Sequence, residues 1–316
     1  MSKTGVVAVT GASGFIGSAL CQYLSERGFD VRAIVRHADP GSHAIANGDI
    51  GPDTDWSSAL DGVDCVVHCA GRAHILNDTT ENPLQEFRRV NRDGTIQLAR
   101  HAVSAGVRRF VFLSSVGVVG APSRNGEIYD IETIPQPDWD YAVSKWEAEQ
   151  ALNGLADETG LQVTNVRPPM VYGPGVPANF RRLLKLVDLG VPLPFGAIDN
   201  RRSMVALANL LSFLEECIVN PEAAGKTFFV SDNHDLSTPE LTRLIATALG
   251  RRPLLVPVPT FVLWFLGKLI GRTQDIERLT GNLQIDTTYS CSTLGWKPPL
   301  SVENAIFQTV KWYKTL

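Results

Sequence analysis

Apolar positions in the first half of the chain fall into short runs separated by longer amphipathic stretches. Gly5–Thr10, Asp30–Val35, Val63–His68, Arg109–Leu113 and Gln162–Arg167 are strand-length runs, nearly apolar on both faces. Between them the period becomes helical: from the turn after Thr10 to Gly28, over Trp56–Leu60, over Pro83–Ala105 with Gly106 as its stop, and over Trp139–Glu158. Such alternation predicts an α/β fold, a doubly wound parallel sheet covered on both faces. After Arg167 the pattern breaks. Pro168, Pro169, Pro174, Pro177, Pro192 and Pro194 crowd a region around one helical piece, Asn179–Leu189. A boundary near Arg167 therefore assigns residues 1–167 to the sheet domain, with about 205–230 returning to it through Val205–Val219 and Thr227–Val230. Residues 168–204 and 231–316 form a smaller mixed C-terminal lobe.

The 316 residues are 44% hydrophobic, enough for one large domain or two coupled lobes. A net charge of −4 with no long basic run argues against a nucleic-acid partner, so an anionic ligand must be held by local cations. The five cysteines are odd in number and scattered, and Cys65 and Cys69 bracket an apolar run with no matching Cys/His pair. Reduced thiols and no metal site are expected. MSKTGVVAVT runs straight into the first strand, so no secretory signal and a cytoplasmic location are expected. The most apolar late stretch, Leu254–Ile270, is interrupted by Pro257, Pro259 and Lys268 and falls short of the about 20 apolar residues that span a bilayer. A core helix is the expected reading, a membrane-surface helix the alternative.

The turn after the first strand reads Thr10-Gly11-Ala12-Ser13-Gly14-Phe15-Ile16-Gly17. Glycine permits positive φ and close backbone approach, and the following helix N-terminus offers free N–H groups and a positive dipole end. That is a pyrophosphate cradle of Rossmann type, one residue longer between its first two glycines than G-x-G-x-x-G. The second strand ends Ile34-Val35-Arg36-His37, with no acid until Asp39. Arg36 therefore favours NADP(H) over NAD(H). Tyr141 and Lys145 share a helix face at i and i+4. A free phenol near pKa 10 is a poor base, and a neighbouring cation lowers it by about 1–3 units. Ser114-Ser115 closes the Arg109–Leu113 run at the sheet's carboxyl edge, where ligands of open α/β sheets sit.

With these residues in place the chain resembles the extended short-chain dehydrogenase/reductase family, in its nucleotide-sugar epimerase, dehydratase and reductase branch. The likeness runs through TGASGFIG at Thr10–Gly17, GDI at Gly48–Ile50, HCAG at His68–Gly71, VNRDGT at Val90–Thr95, SSVGVVG at Ser114–Gly120, YAVSK at Tyr141–Lys145, RPPMVYGPG at Arg167–Gly175 and LGWKPPLS at Leu294–Ser301. The resemblance implies that Gly11, Gly14, Phe15, Ile16 and Gly17 cradle the dinucleotide. Asp49 and Ile50 would lie beside the adenine, Ala70 and Gly71 under the dinucleotide, and Pro168 also against it. It makes Asn91 the structural asparagine of the central helix and Ser115, five before Gly120, the substrate-orienting hydroxyl. Tyr141 is then the acid/base, and Lys145 also binds the nicotinamide ribose. In the C-terminal lobe it implies Asn179 and Arg202 as diphosphate ligands and Pro194 and Phe195 as the loop on the nucleotide base. Two positions depart from the family. Val119 stands where many relatives have tyrosine, and no arginine falls at Leu279–Asn282, where a second diphosphate arginine belongs; Arg278 is out of register.

The expected activity is hydride transfer at C4 of a nucleoside-diphosphate sugar, a UDP-hexose or UDP-hexosamine. The leading expectation is a 4-keto-sugar reductase of surface-polysaccharide precursor synthesis, since Arg36 suits an exchangeable NADP(H). The alternative is a UDP-sugar 4-epimerase with tightly bound NAD. A dehydratase is disfavoured because Val116-Gly117 replaces the Asp-Glu pair that chemistry adds. The intact Ser115, Tyr141 and Lys145 set disfavours a non-catalytic nucleotide-binding subunit. The family also implies a homodimer through Pro83–Ala105 and Trp139–Glu158.

Overall fold

The structure is a computed structural model that describes residues 5–39, 41–73, 80–120, 122–123, 126–269 and 271–316. At its centre β1 (Val6–Thr10) is flanked on one side by β2 (Asp30–Val35) and β3 (Ile45–Ala46). On the other side follow β4 (Cys65–His68), β5 (Arg109–Leu113), β7 (Gln162–Arg167) and β10 (Thr227–Phe229). All seven strands are parallel. The strands are buried on both faces because helices cover both. α1 (Phe15–Glu26) and α7 (Leu207–Val219) close a core with Val7, Val9, Val111 and Phe228 on one face. On the other, α2 (Ser57–Leu60), α4 (Gly94–Ser104) and α5 (Asp140–Thr159) pack on Ala8, Val66, Phe110 and Phe112.

The run expected as one helix over Pro83–Ala105 is α3 (Pro83–Phe87), a π-helical stretch at Arg88–Asp93, and α4. Such π turns re-aim side chains and recur at functional sites. Two short parallel pairs lie outside the main sheet: β6 (Ile128–Tyr129) with β11 (Gln284–Ile285), and β8 (Met170–Tyr172) with β9 (Met204–Ala206). Val205 thus pairs with Val171 and not with the main sheet; of the late segments only Thr227–Phe229 extends it, while α7 rejoins it by packing.

A second core gathers Tyr172, Phe180, Phe195, Leu241 and Ile306 among α6 (Ala178–Asp188), α8 (Thr238–Leu249) and α12 (Val302–Tyr313). Leu254–Ile270 departs from the core-helix expectation. It forms α9 (Thr260–Leu269), which buries Leu263 and Gly267 and leaves Phe261, Phe265 and Leu269 at the surface. α9 rests on α10 (Thr273–Thr280), where a Cβ on Gly267 would lie 2.6 Å from Ile276 Cγ1.

Candidate active site

Strand order runs outward in opposite directions from β1 and β4, so a crevice opens at their carboxyl ends. Gly11 leaves β1 with φ +68°, and a Cβ there would lie 2.8 Å from the Ala70 nitrogen at the exit of β4. A Cβ on Gly17 would lie 2.1 Å from the Gly11 carbonyl oxygen, so only glycine lets the turn fold onto its own helix. The Gly14 N–H donates to that same carbonyl at 2.8 Å, and no acid occupies the first turn of α1. The helix end thus faces the crevice with its positive dipole uncompensated, a fit for a pyrophosphate. Phe15 packs between the sheet core and the C-terminal lobe, and Ile16 packs on the sheet core.

The floor is built from buried polar groups. His68 at the end of β4 bonds through Nδ1 to Thr10 Oγ1 at 2.6 Å and through Nε2 to Thr95 Oγ1 at 2.9 Å. Burial first, then the Lys145 charge, take this imidazole down to about 3, so it stays neutral. Asn91, aimed by the π turn, donates to the Arg72 carbonyl and to Ser144 Oγ, both at 3.0 Å, and accepts from the Arg72 N–H at 2.7 Å. It therefore staples the backbone at Arg72 to α5. The sequence reading singled out Asn91 but not its partners Ser144 and Thr95, nor the His68–Thr10 pair that Thr95 joins to it. Nothing in spacing alone pairs residues from four elements.

Tyr141 stands in the first turn of α5, its ring edge-on to Phe87 at 6.2 Å between centroids. One turn on, Lys145 is only 3% exposed, with Nζ 4.0 Å from the Phe112 ring centroid and 4.0 Å from where a Gly71 Cβ would be. Ser115 caps the short 3-10 turn Val116–Val119, its Oγ accepting from the Gly117 N–H at 3.1 Å. The Val116 N–H donates to the Pro168 carbonyl at 3.0 Å, which ties this turn to the end of β7. Trp139, two residues before Tyr141, covers Gly117 so closely that a Cβ there would lie 2.5 Å from its Cζ2. Trp139 thus couples the Ser115 turn to the start of α5, and it leaves no room for an acidic side chain at 117.

The electrostatics correct one expectation. Lys145 was expected to draw Tyr141 down, but burial pushes the phenol up to about 12. The same burial takes Lys145 down to about 7, against the opposing pull of Glu149, so near neutrality the ammonium lacks its full charge. Glu149 is itself held by Arg167 in a buried ion pair at 2.6 Å. In this chain alone Tyr141 is a proton donor.

Arg36 does not stand free at the end of β2. Its Nε pairs with Asp49 Oδ1 at 2.9 Å, both side chains being mostly exposed. The two residues expected to flank the adenosine therefore engage each other, and Ile50 packs beneath, against Gly94.

In the C-terminal lobe Arg202 is held between two strips. Its backbone bridges Leu236 and Leu283, and Nη1 donates to the Gly281 carbonyl at 2.9 Å. Burial and the nearby Arg278 charge lower it to about 10. Arg278, out of register by sequence count, stands in the last turn of α10, close enough for its charge to act on Arg202. Asn179 is exposed at the start of α6. Pro194 is half-buried and Phe195 is 7% exposed within the lobe core, so its ring is committed to packing and not offered to a base.

The description "NAD dependent epimerase/dehydratase family" matches residues 7–205. A UDP-glucose 4-epimerase of Vibrio cholerae is 42% identical over 310 residues, covering 96% of this chain and 94% of the relative. Among solved structures, MoeE5 in complex with UDP-glucose and NAD superposes with a TM-score of 0.79 at 24% identity, covering 98% of this chain and 99% of the other. RMD from Pseudomonas aeruginosa, complexed with NADPH, gives 0.76 at 22% identity over 99% and 100%. These two likenesses show the fold.

Proposed function

The chain belongs to the NAD-dependent epimerase/dehydratase family, and on that premise we propose that it is a 4-epimerase of a nucleoside-diphosphate hexose, a UDP-hexose or UDP-hexosamine, with a retained NAD. The observation that carries the reading is the crevice itself. The glycine turn meets Ala70, and Gly71 meets Lys145, at the carboxyl ends of β1 and β4, with Tyr141 one helical turn before Lys145 on α5. The reductase expected first is set behind the epimerase for two reasons. The 42% identical relative carries the epimerase name. And Arg36, the reason for favouring an exchangeable NADP(H), shares its charge with Asp49 in an exposed ion pair, so it is a weaker argument for a 2′-phosphate than a lone arginine.

Residues of this chain divide the work. Gly11, Gly14, Phe15, Ile16 and Gly17 hold the dinucleotide phosphates, with Asp49 and Ile50 towards the adenosine and Ala70, Gly71, Asn91 and Pro168 beneath. A bound nicotinamide supplies a hydride acceptor and donor at the sugar C4. Tyr141 takes the proton of the sugar 4-hydroxyl as the phenolate and returns it as the phenol, so the loaded crevice must bring the phenol below where burial alone puts it. Ser115 orients that oxygen, and Lys145 supplies part of the positive charge this needs and meets a ribose hydroxyl. General acid–base groups of this kind contribute about 10²–10⁴-fold. Arg202 and Arg278 hold the diphosphate, with Asn179 and half-buried Pro194 on the nucleotide side and Phe195 packed behind them in the lobe core. A guanidinium fork matches phosphate oxygens, and two of them offset the net acidity of the chain.

The test is turnover with no added dinucleotide. Incubated with UDP-galactose, the purified protein should form UDP-glucose, or the amino-sugar pair should interconvert, and mass spectrometry should find NAD released on denaturation. Turnover that consumes added NADPH stoichiometrically with a 4-keto sugar, and no epimerisation without it, overturns the reading in favour of the reductase.

A further inference from the structure

α9 turns two different faces. Leu263 and Gly267 face inward on α10. Phe261, Trp264, Phe265 and Lys268, at i, i+3, i+4 and i+7, face outward, the three aromatics being 73%, 41% and 63% exposed. A helix apolar all round belongs in a core, yet this one lies at the surface. The strip just before it leaves Leu254 and Val256 52% and 44% exposed. An outer face of aromatics beside a lysine whose stem reaches outward is the composition that settles at a membrane interface.

Charge is concentrated around the same segment. The protein is net acidic, but residues 251–274 carry Arg251, Arg252, Lys268 and Arg272 and no acid at all. Arg251 engages Asp188 at 3.0 Å. Arg252, Lys268 and Arg272 have no carboxylate partner among the described ion pairs, and all three are exposed. Ten residues make a helix about 15 Å long, half the about 30 Å hydrocarbon core. No described helix is long and apolar enough to cross a membrane.

We propose that α9 docks the protein on an anionic phospholipid bilayer, lying in the headgroup plane with Phe261, Trp264 and Phe265 inserted and Arg252, Lys268 and Arg272 on the lipid phosphates. A second copy fits this face less well, because a two-fold contact would bring two sets of the same three cations into one interface, with no acid in residues 251–274 to meet them. Resting on the diphosphate reading above, docking also puts a proposed diphosphate residue on the helix that α9 packs against, since Arg278 lies in the last turn of α10.

The experiment is co-sedimentation of the full chain with phosphatidylcholine vesicles, with and without phosphatidylglycerol. Wild type should bind the anionic vesicles. Phe261→Glu with Phe265→Glu should weaken that binding at least about tenfold, since burial of each ring is lost. Lys268→Glu with Arg272→Glu should weaken it by about fivefold or more per side chain. Both variants alter exposed side chains outside the catalytic crevice, so epimerase turnover and thermal midpoint should stay at wild-type values, which separates a failure here from a failure of the catalytic reading. Equal binding to neutral vesicles, binding unchanged in the aromatic variant, or a wild-type dimer that the aromatic variant splits in light scattering would each overturn the proposal.

Discussion

Lys145→Met isolates the electrostatic cost of the crevice from its chemistry. Lys145 falls from an ordinary 10.5 to about 7 because burial strips water from the ammonium, with only Glu149 and Cys69 pulling the other way. Below pH 7 both folded and unfolded chains carry the proton, and the whole penalty, about 5 kcal/mol at about 1.4 per unit, weighs on the fold. Between pH 7 and 10.5 the unfolded chain holds a proton that the folded chain has released, so stability rises with pH. About 2 kcal/mol of the penalty remains at pH 9 and almost none at 10.5. Methionine keeps the length of the stem over Phe112 and removes the charge. Relaxation around the ammonium trims the gain, and roughly 2–3 kcal/mol near neutrality is expected, a rise in Tm of roughly 3–5 °C for a chain of this length. The assay is thermal denaturation by circular dichroism, on protein stripped of dinucleotide, at about pH 6.5, 8 and 9. The variant should be the more stable at the lowest pH, its advantage should shrink as pH rises, and its turnover should collapse. A variant no more stable than wild type near neutrality, or an advantage independent of pH, would show that Lys145 is ordinarily hydrated and refute the reasoning.

Two further outcomes follow from the crevice and the arginine pair. Tyr141→Phe removes only the phenol and keeps the ring on Phe87; turnover should fall by about 10²–10⁴-fold with dinucleotide retention unchanged, and rates within a few-fold of wild type would exclude Tyr141 as the proton carrier. Arg202→Ala and Arg278→Ala should each raise KM for the sugar nucleotide roughly ten- to hundredfold, since a charge-assisted bond contributes about 1.5–3 kcal/mol, with kcat changed less; steady-state kinetics showing a fall in kcat at unchanged KM would place these arginines on the reacting sugar.

The parallel sheet was legible because its strands are apolar on both faces and its helices are not. That contrast survives in any reading of Val6–Thr10 beside Phe15–Glu26. The same logic placed Tyr141 and Lys145, because one helix face is a local property. The sign of the Tyr141 shift was not local. It depends on how deeply both groups are enclosed by Phe87, Phe112 and the β4 exit, which no spacing encodes. Trp139 was hidden for the same reason: it is an unremarked N-cap residue by sequence and a lid on Gly117 in space.

Arg278 shows how little a count along the chain says about where a side chain stands in the fold. A family register assumes that the backbone reaches the site at fixed offsets, whereas Arg278, in the last turn of α10, is close enough for its charge to act on Arg202. Asn200 fixes that geometry, donating to the Leu279 and Gly281 carbonyls at 3.2 and 3.1 Å while accepting from the Thr238 N–H at 2.8 Å. α9 fails in the opposite direction. Its composition is that of a core helix, and hydrophobicity alone cannot say whether the fold has a second surface to lay on each face. The C-terminal lobe covers one face of α9 with Ile276 and leaves Phe261 and Phe265 with none. A periodicity tells which positions are apolar. Which of them the chain itself can cover is decided only when all the elements compete for the same interior.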